Sequence, residues 1–201
     1  ETRIDKIIDR DSNNYINSSK LQNIMFRRHD SINGNTFDWD WDDFNAQHST
    51  QAQQCIFKAI RKKYQNIACF DLGYISQWVS DSFANMYAKM PIKLNKRDQL
   101  YNNDWIKLTN GLGSGVRCTS FVNRLLNYCN CIMATEYAKK VFDYDLDDEI
   151  EREDHQGDDV HMKTKNWLSG VIMGVSMTAI GQIGQDIKVA NEMNWCEFLR
   201  Q

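Results

Sequence analysis

Between Thr36 and Asp42 the chain reads TFDWDWD, an unbroken alternation of aromatic and acidic side chains. A period of two belongs to a β-strand, in which successive side chains point to opposite faces of the sheet. Phe37, Trp39 and Trp41 form a face to be buried, and Asp38, Asp40 and Asp42 form a face that looks outward. A chain carrying this segment needs a sheet with an apolar layer against one side.

Helical periods flank the strand. Asn45 is placed to cap a helix through about Tyr64, with Cys55, Ile56, Ala59 and Ile60 at helical spacing and Lys58, Arg61, Lys62 and Lys63 near its end. Asp71 to Lys89 holds Leu72, Ile75, Trp78, Val79, Phe83, Met86 and Tyr87, a second amphipathic helix that must stop before Pro91. Short strands are expected near Ile92 to Leu94 and Trp105 to Leu108. After the flexible loop Gly111-Leu-Gly-Ser-Gly115, a long helical pattern runs from Val116 to Lys140. The acid-rich segment Asp143 to Asp154 reads as a solvated connection. His155 to Met162 reads as a hairpin with Gly157-Asp158 at its turn, presenting Asp158 and Asp159 at the tip. Asn166 then caps a last helix whose apolar face uses Trp167, Leu168, Val171, Ile172, Val175 and Ile180, and Asp186 to Arg200 mixes extended and turn signals. The order of elements predicts the α+β class, an antiparallel sheet with helices packed on one face.

Composition narrows the function classes. With 201 residues and 42% hydrophobic content the chain can bury an ordinary single-domain core. A charged fraction of 25% and a net charge of −3 are not the strongly basic balance of a general nucleic-acid coat. No apolar run reaches the length of a membrane span, and the first twenty residues lack the apolar core of a signal peptide, so a soluble intracellular setting is expected. The six cysteines are scattered, and Cys129-x-Cys131 lacks zinc-type spacing and a second pair, which predicts reduced, buried or half-buried thiols.

The chemistry lies in the acids. Carboxylates at two strand ends are what a two-metal phosphoryl-transfer site requires: hard oxygen ligands for Mg²⁺ held on rigid backbone. Asp40 and Asp158 are the pair so placed. Taken singly, Gly-Asp-Asp also suits an exposed turn, and an acidic strand suits a solvent-facing edge.

Three segments in one order are more specific: Asp40-Trp-Asp-Asp-Phe-Asn45, then Ser114-Gly-Val-Arg-Cys-Thr-Ser-Phe-Val-Asn123, then Gly157-Asp-Asp159. From about residue 37 to 200 the chain resembles the viral RNA-directed RNA polymerases, whose motifs A, B and C these segments match. Asp42 to His48, Gly111 to Arg117 and Glu197 to Arg200 look most like the totivirus group of double-stranded RNA viruses.

The resemblance implies Asp40 and Asp158 as principal ligands of two Mg²⁺ ions, with Mn²⁺ as a substitute. It implies Asp159 as a supporting acid and the Trp41 carbonyl as a further ligand. Asn45, Ser114 and Asn123 would read the ribose, supported by Thr119, because a bonded 2′-OH distinguishes RNA precursors from DNA precursors. Gly115 would let the loop backbone approach template and nucleotide, with Arg117 available for phosphate or an acidic neighbour. Lys188 stands where motif D places a general acid for the departing pyrophosphate, with Lys163 and Lys165 as alternatives, and Glu197 to Arg200 resembles motif E. The pattern departs from the family at His155-Gln156 before the turn, where His155 is either an RNA contact or a strand residue, and in the extra acids Asp42 and Asp43.

The fold so implied is a right-hand polymerase palm plus part of the fingers. Residues 1–35 form a fingers-derived segment, 36–65 palm, 66–110 a fingers-side insertion, 111–190 palm, and 191–201 a palm–thumb junction. The partners implied are template and nascent RNA, ribonucleoside triphosphates and a viral capsid protein, fused or separate, with no membrane. The setting would be the particle interior or the host cytoplasm. Complete fingers and thumb are not visible, so the chain reads as the core of a larger enzyme, inactive by itself. A reverse transcriptase palm and a non-catalytic RNA-binding module of palm-like fold are the competing readings.

Overall fold

The computed structural model describes residues 34–65, 70–88, 105–113, 118–185 and 189–193. In chain order the elements are β1 (Asn35–Trp39), α1 (Phe44–Gln47), α2 (Thr50–Tyr64), α3 (Phe70–Ala84), β2 (Tyr87–Ala88), β3 (Ile106–Lys107), α4 (Thr119–Phe142), α5 (Leu146–Glu149), β4 (Ile150–Gln156), β5 (Asp159–Thr164), α6 (Trp167–Ala179) and β6 (Ala190–Met193). They fall into two compact units, residues 1–47 with 115–201, and residues 48–114.

The first unit is built on a four-stranded sheet of order β4-β5-β1-β6, antiparallel throughout. The α+β class is as expected. β1 is central because its alternation gives it an entirely apolar face: Phe37, Trp39, Trp41 and Phe44 are buried in a continuous row with successive ring centroids 6.1, 5.8 and 4.5 Å apart. Each such aromatic removes enough apolar surface from water to contribute about 1.5–3 kcal/mol. α6 lies over this face so closely that a Cβ on Gly174 would stand 3.4 Å from the Phe37 ring. Helix α4 packs beside it on α6 and β4.

Several expectations change. The carboxylate face of β1 is graded, not outward throughout: Asp38 is buried, Asp40 half-buried and Asp42 exposed. Burial of Asp38 is tolerable because β5 sets His161 directly opposite it, with Nδ1 2.6 Å from the Asp38 carboxylate. The acidic segment 143–154 is no solvated connection but α5 followed by edge strand β4. Leu146 anchors it in the core, Asp145 caps α5, and Lys163 and Arg152 pair with Glu151 and Asp154 at 3.3 and 2.8 Å. An edge strand tolerates this charge, which also discourages pairing with another chain. Asn166 does cap α6, its Oδ1 accepting the Ser169 N–H at 3.0 Å. The face that α6 buries, however, is Ser169, Gly170, Met173, Ser176 and Met177, whereas Trp167, Leu168 and Val175 are exposed.

The second unit repeats that lesson. α2 begins at Thr50, not near Asn45, because Ser49 accepts the Ala52 N–H at 3.1 Å and caps it. It buries Ile56, Phe57 and Ile60 and packs on α3, which ends at Ala84, short of Lys89, while the buried Gln53 donates to the Gly111 carbonyl at 3.0 Å. α3 buries Gly73, Ser76, Ser80 and Phe83 and exposes Leu72, Ile75 and Trp78. Small side chains at that spacing let two helices approach, and Phe57 stacks on Phe83 with centroids 5.4 Å apart. Ile106–Lys107 pairs with Tyr87–Ala88, while the strand expected at Ile92 to Leu94 lies outside the described residues.

Two measurements check this packing. A Cβ on Gly184 would meet the Trp39 ring and Val189 Cγ2 at 2.8 Å each. Gly184→Ala should therefore lower unfolding free energy by about 1–3 kcal/mol, read from a urea transition. His48 is buried, and desolvation lowers its pKa from 6.5 to about 4. The unfolded chain takes up a proton from about pH 6.5 downward, whereas the folded chain resists until about pH 4. Stability is thus lost as pH falls through that window, and His48→Gln should flatten the fall between pH 6.5 and 4 by up to one proton.

Candidate active site

β4 and β5 are joined by the two-residue turn Gly157-Asp158, with Gln156 and Asp159 as the closing pair. Gly157 sits at φ 66°, left-handed backbone that favours glycine. The tip is therefore Asp158, exposed, while Asp159 is the first residue of β5 and half-buried. β5 runs antiparallel to β1, and its pairing ends with Trp39 opposite Val160. One further step in that register brings Asp40 level with Asp159, on strands about 4.8 Å apart. Asp40, Asp158 and Asp159 thus gather at one end of the sheet.

Backbone contacts fix that end. The Asp40 carbonyl accepts the Gln185 N–H at 2.8 Å, and Trp41 bridges Gly184. The Trp41 indole belongs to the buried aromatic row. Gln47 continues the bridge with a side-chain amide: its Nε2 donates to the carbonyls of Asp42 and Ile183, and its Oε1 accepts the Ile183 N–H at 3.1 Å. Gln47 carries out here the pairing that a strand residue would provide through its backbone.

Helix α4 brings a polar stripe to the same place. Thr119, Asn123 and Asn127 recur every four residues along it. Asn123 Nδ2 donates to Asn45 Oδ1 at 3.0 Å, joining two of the three residues expected to act together. Asn123 Oδ1 is buried with no hydrogen-bond partner among the described residues. Ser114, Gly115, Arg117 and Lys188 lie outside the described residues.

Asn127 is the functional residue that the sequence reading passes over. Fully buried, it directs its Nδ2 at the carbonyls of Asp158, Gly157 and Asp159, at 2.9, 3.3 and 3.4 Å. It holds the hairpin tip to α4. Its four-residue spacing from Asn123, on a helix otherwise apolar on that side, was the available signal.

His155, expected as an RNA contact or a strand residue, is a buried strand residue, its ring against Tyr128 with centroids 3.7 Å apart and its Nε2 2.5 Å from Glu153 Oε1. Together with Cys131 it forms a set able to hold a metal ion: the ligand atoms of Cys131, Glu153 and His155 lie within 4.8 Å of one another. Burial first, then the Glu153 charge and Cys129, pushes the Cys131 thiol well above its ordinary pKa. The thiols are not uniformly inside: Cys55 is exposed, and Cys118 and Cys129 are intermediate.

Comparison with known proteins bears on the family. The family model described as viral RNA-directed RNA-polymerase matches residues 9–200. The "Probable RNA-directed RNA polymerase" of Saccharomyces cerevisiae virus L-A is 29% identical over 165 residues, and its namesake from Saccharomyces cerevisiae virus L-BC is 30% identical over 164. Each alignment covers 82% of this chain, and the chain spans 10% of the length of each of these relatives. No described helix is long and apolar enough to cross a membrane.

The clamp on the tip can be measured. Asn127→Ala leaves the turn carbonyls without their donor and should cost about 1–3 kcal/mol of stability. Asn127→Asp should cost more, because a carboxylate offers those carbonyls only acceptors. Equal urea midpoints for wild type and both variants would contradict the clamp.

Proposed function

We propose, from the fact that this chain belongs to the viral RNA-directed RNA polymerase family, that it is the catalytic core of an enzyme adding ribonucleotides to the 3′ end of an RNA on an RNA template. The observation that carries this reading is the gathering of Asp40, Asp158 and Asp159 at one end of the sheet, beside the Asn45–Asn123 pair.

These carboxylates are hard oxygen donors at strand ends, half-buried or exposed, which suits Mg²⁺ ions that retain part of their water shell. Asp40 and Asp158 would hold two such ions, with Asp159 and the Trp41 carbonyl assisting, and Mn²⁺ could replace them. When bound, the ions supply activation of the 3′-hydroxyl and charge neutralisation on the triphosphate and leaving pyrophosphate. The chain's own residues contribute position. The Gln185 and Gly184 contacts keep Asp40 at the strand end, and Asn127 keeps the hairpin tip on α4.

Asn123 Oδ1, a buried acceptor, is matched to a hydroxyl donor, and a seated ribonucleotide offers one in its 2′-OH. Asn45 would belong to that group, as would Ser114 by its place in motif B, and Thr119 would support it. Gly115 and Arg117 would serve template, nucleotide and phosphate, and Lys188 would protonate the departing pyrophosphate. The sheet order β4-β5-β1-β6 with α4 and α6 on one face supports a right-hand palm. To the same reading belong a fingers segment at 1–35, palm at 36–65 and 111–190, a fingers-side insertion at 66–110 and a palm–thumb junction at 191–201. The whole polymerase would work inside a viral particle or the host cytoplasm, with a capsid protein as partner or fused neighbour.

In the full-length polymerase, Asp40→Ala and Asp158→Ala should each abolish Mg²⁺-dependent incorporation on an RNA template. Unchanged synthesis in either would sink the assignment and favour a non-catalytic module. Asn123→Ala should narrow the preference for ribonucleotide over deoxyribonucleotide by roughly tenfold or more, the loss of one hydrogen bond to a buried group. A wild-type preference for deoxyribonucleotides would instead indicate a reverse transcriptase.

A further inference from the structure

Away from the carboxylates, on the helix-facing side of the sheet, Cys131, Glu153 and His155 bring a thiol, a carboxylate and an imidazole to within 4.8 Å of one another. We propose that these three residues bind a zinc-class transition-metal ion that staples helix α4 to strand β4 behind the hairpin tip. The donor set argues for the class of ion: thiolate and imidazole are the ligands that zinc takes, whereas Mg²⁺ takes oxygen. Zinc-to-ligand distances of about 2.0–2.3 Å place tetrahedral ligand atoms roughly 3.5 Å apart, so the cluster needs only small side-chain adjustments.

Two further observations point to a ligand. His155 is almost fully buried; its Nε2 is turned to Glu153 Oε1 at 2.5 Å, which makes it the ring nitrogen offered to an ion shared with Glu153, and its Nδ1 is left with no hydrogen-bond partner. Such an atom is uncommon, because a buried ring nitrogen normally meets a donor, an acceptor or a metal. Its ring is also fixed, lying against Tyr128 of the same helix that carries Cys131. Glu153 supplies access: its side chain is 29% exposed while that of His155 is at 0%, so an ion and a water to complete its tetrahedron would enter from the Glu153 side.

The position suggests what the ion does. Cys131 lies one helical turn beyond Asn127, whose amide grips the Asp158 carbonyl, and His155 lies two residues before Gly157. An ion across Cys131, Glu153 and His155 would tie the same helix to the same hairpin at a second point. It would be a positioning element, chemically separate from the hard-oxygen site at the tip.

The test uses the full-length protein, purified from zinc-supplemented medium, with zinc content measured by elemental analysis and the zinc shell by X-ray absorption. The expected result is bound zinc with one sulfur and otherwise nitrogen and oxygen neighbours, and, after exchange into Co²⁺, a thiolate-to-cobalt charge-transfer band. Cys131→Ser and His155→Gln should each remove one equivalent of zinc and that band, while Cys129→Ser should keep both. Absence of zinc from wild type, a shell without sulfur, or undiminished zinc in the Cys131 and His155 variants would overturn the proposal and leave a plain Glu153–His155 hydrogen bond beside a buried thiol. The wild-type absorption spectrum decides even where a variant fails to fold. Metal content is read independently of synthesis, so this outcome stands apart from that of the aspartate variants.

Discussion

The register of β1 against β5 decides where every acid of the candidate site stands. With Trp39 opposite Val160, Asp40 comes level with Asp159 and the Gly157-Asp158 turn projects beyond the strand end. A slip of one residue would turn Phe37, Trp39 and Trp41 toward the other face and send the carboxylates into the apolar layer. The aromatic row therefore does more than stabilise: it permits one alignment of the acids. The close seat of Gly184 on the Trp39 ring makes that alignment sensitive to a single added methyl group.

Around this register, side-chain amides stand in for backbone. Gln47 pairs with Ile183 as a strand residue would, and Asn127 takes up the carbonyls of a turn too tight to satisfy them through its own N–H groups. A buried amide such as Asn127 is costly if any bond is missing, and a fully bonded one rigidifies what it holds. Rigidity of the tip follows from the helix behind it more than from the turn itself.

The parts of this architecture written in local periodicity are legible in the sequence. The strand at 35–39 follows from alternation, the turn from Gly157-Asp158, the caps at Asn166 and the helical extent of 119–142 from pattern. What escaped depends on neighbours distant in the chain. Apolar periodicity selects Leu72, Ile75 and Trp78 in α3, and Trp167, Leu168 and Val175 in α6, yet the buried stripes are glycine, serine and methionine, since close helix packing rewards small side chains over bulky ones. The acids at 150–154 form a strand because Lys163, Arg152 and an edge position accommodate them, none of which composition shows. In the site, Asp40 at the end of β1, Asp158 at the hairpin tip and the Asn45–Asn123 pair lie on the segments that the motif order singles out, whereas Asn127 acts on backbone groups and lies between motifs, and the strand-like pairing of Gln47 shows only in the fold although its segment, Asp42 to His48, is a motif.

Strand alternation also separates two kinds of metal chemistry. Along β4, Asp154 lies on the face it shares with His161 and Asp38, whereas Glu153 and His155 lie on the face of Met162, Val160 and the aromatic row. The oxygen donors at the sheet end therefore belong to the open face and the tip, while the sulfur and imidazole donors belong to the helix side. Among the described residues no cysteine lies at the tip, so a hard cation there would meet oxygen donors, whereas a softer ion behind the sheet would have Glu153 as its one carboxylate ligand. Because the two sets are separated by the thickness of one β-sheet and fixed to the same hairpin, the rear set can stiffen the front one without competing for its ion.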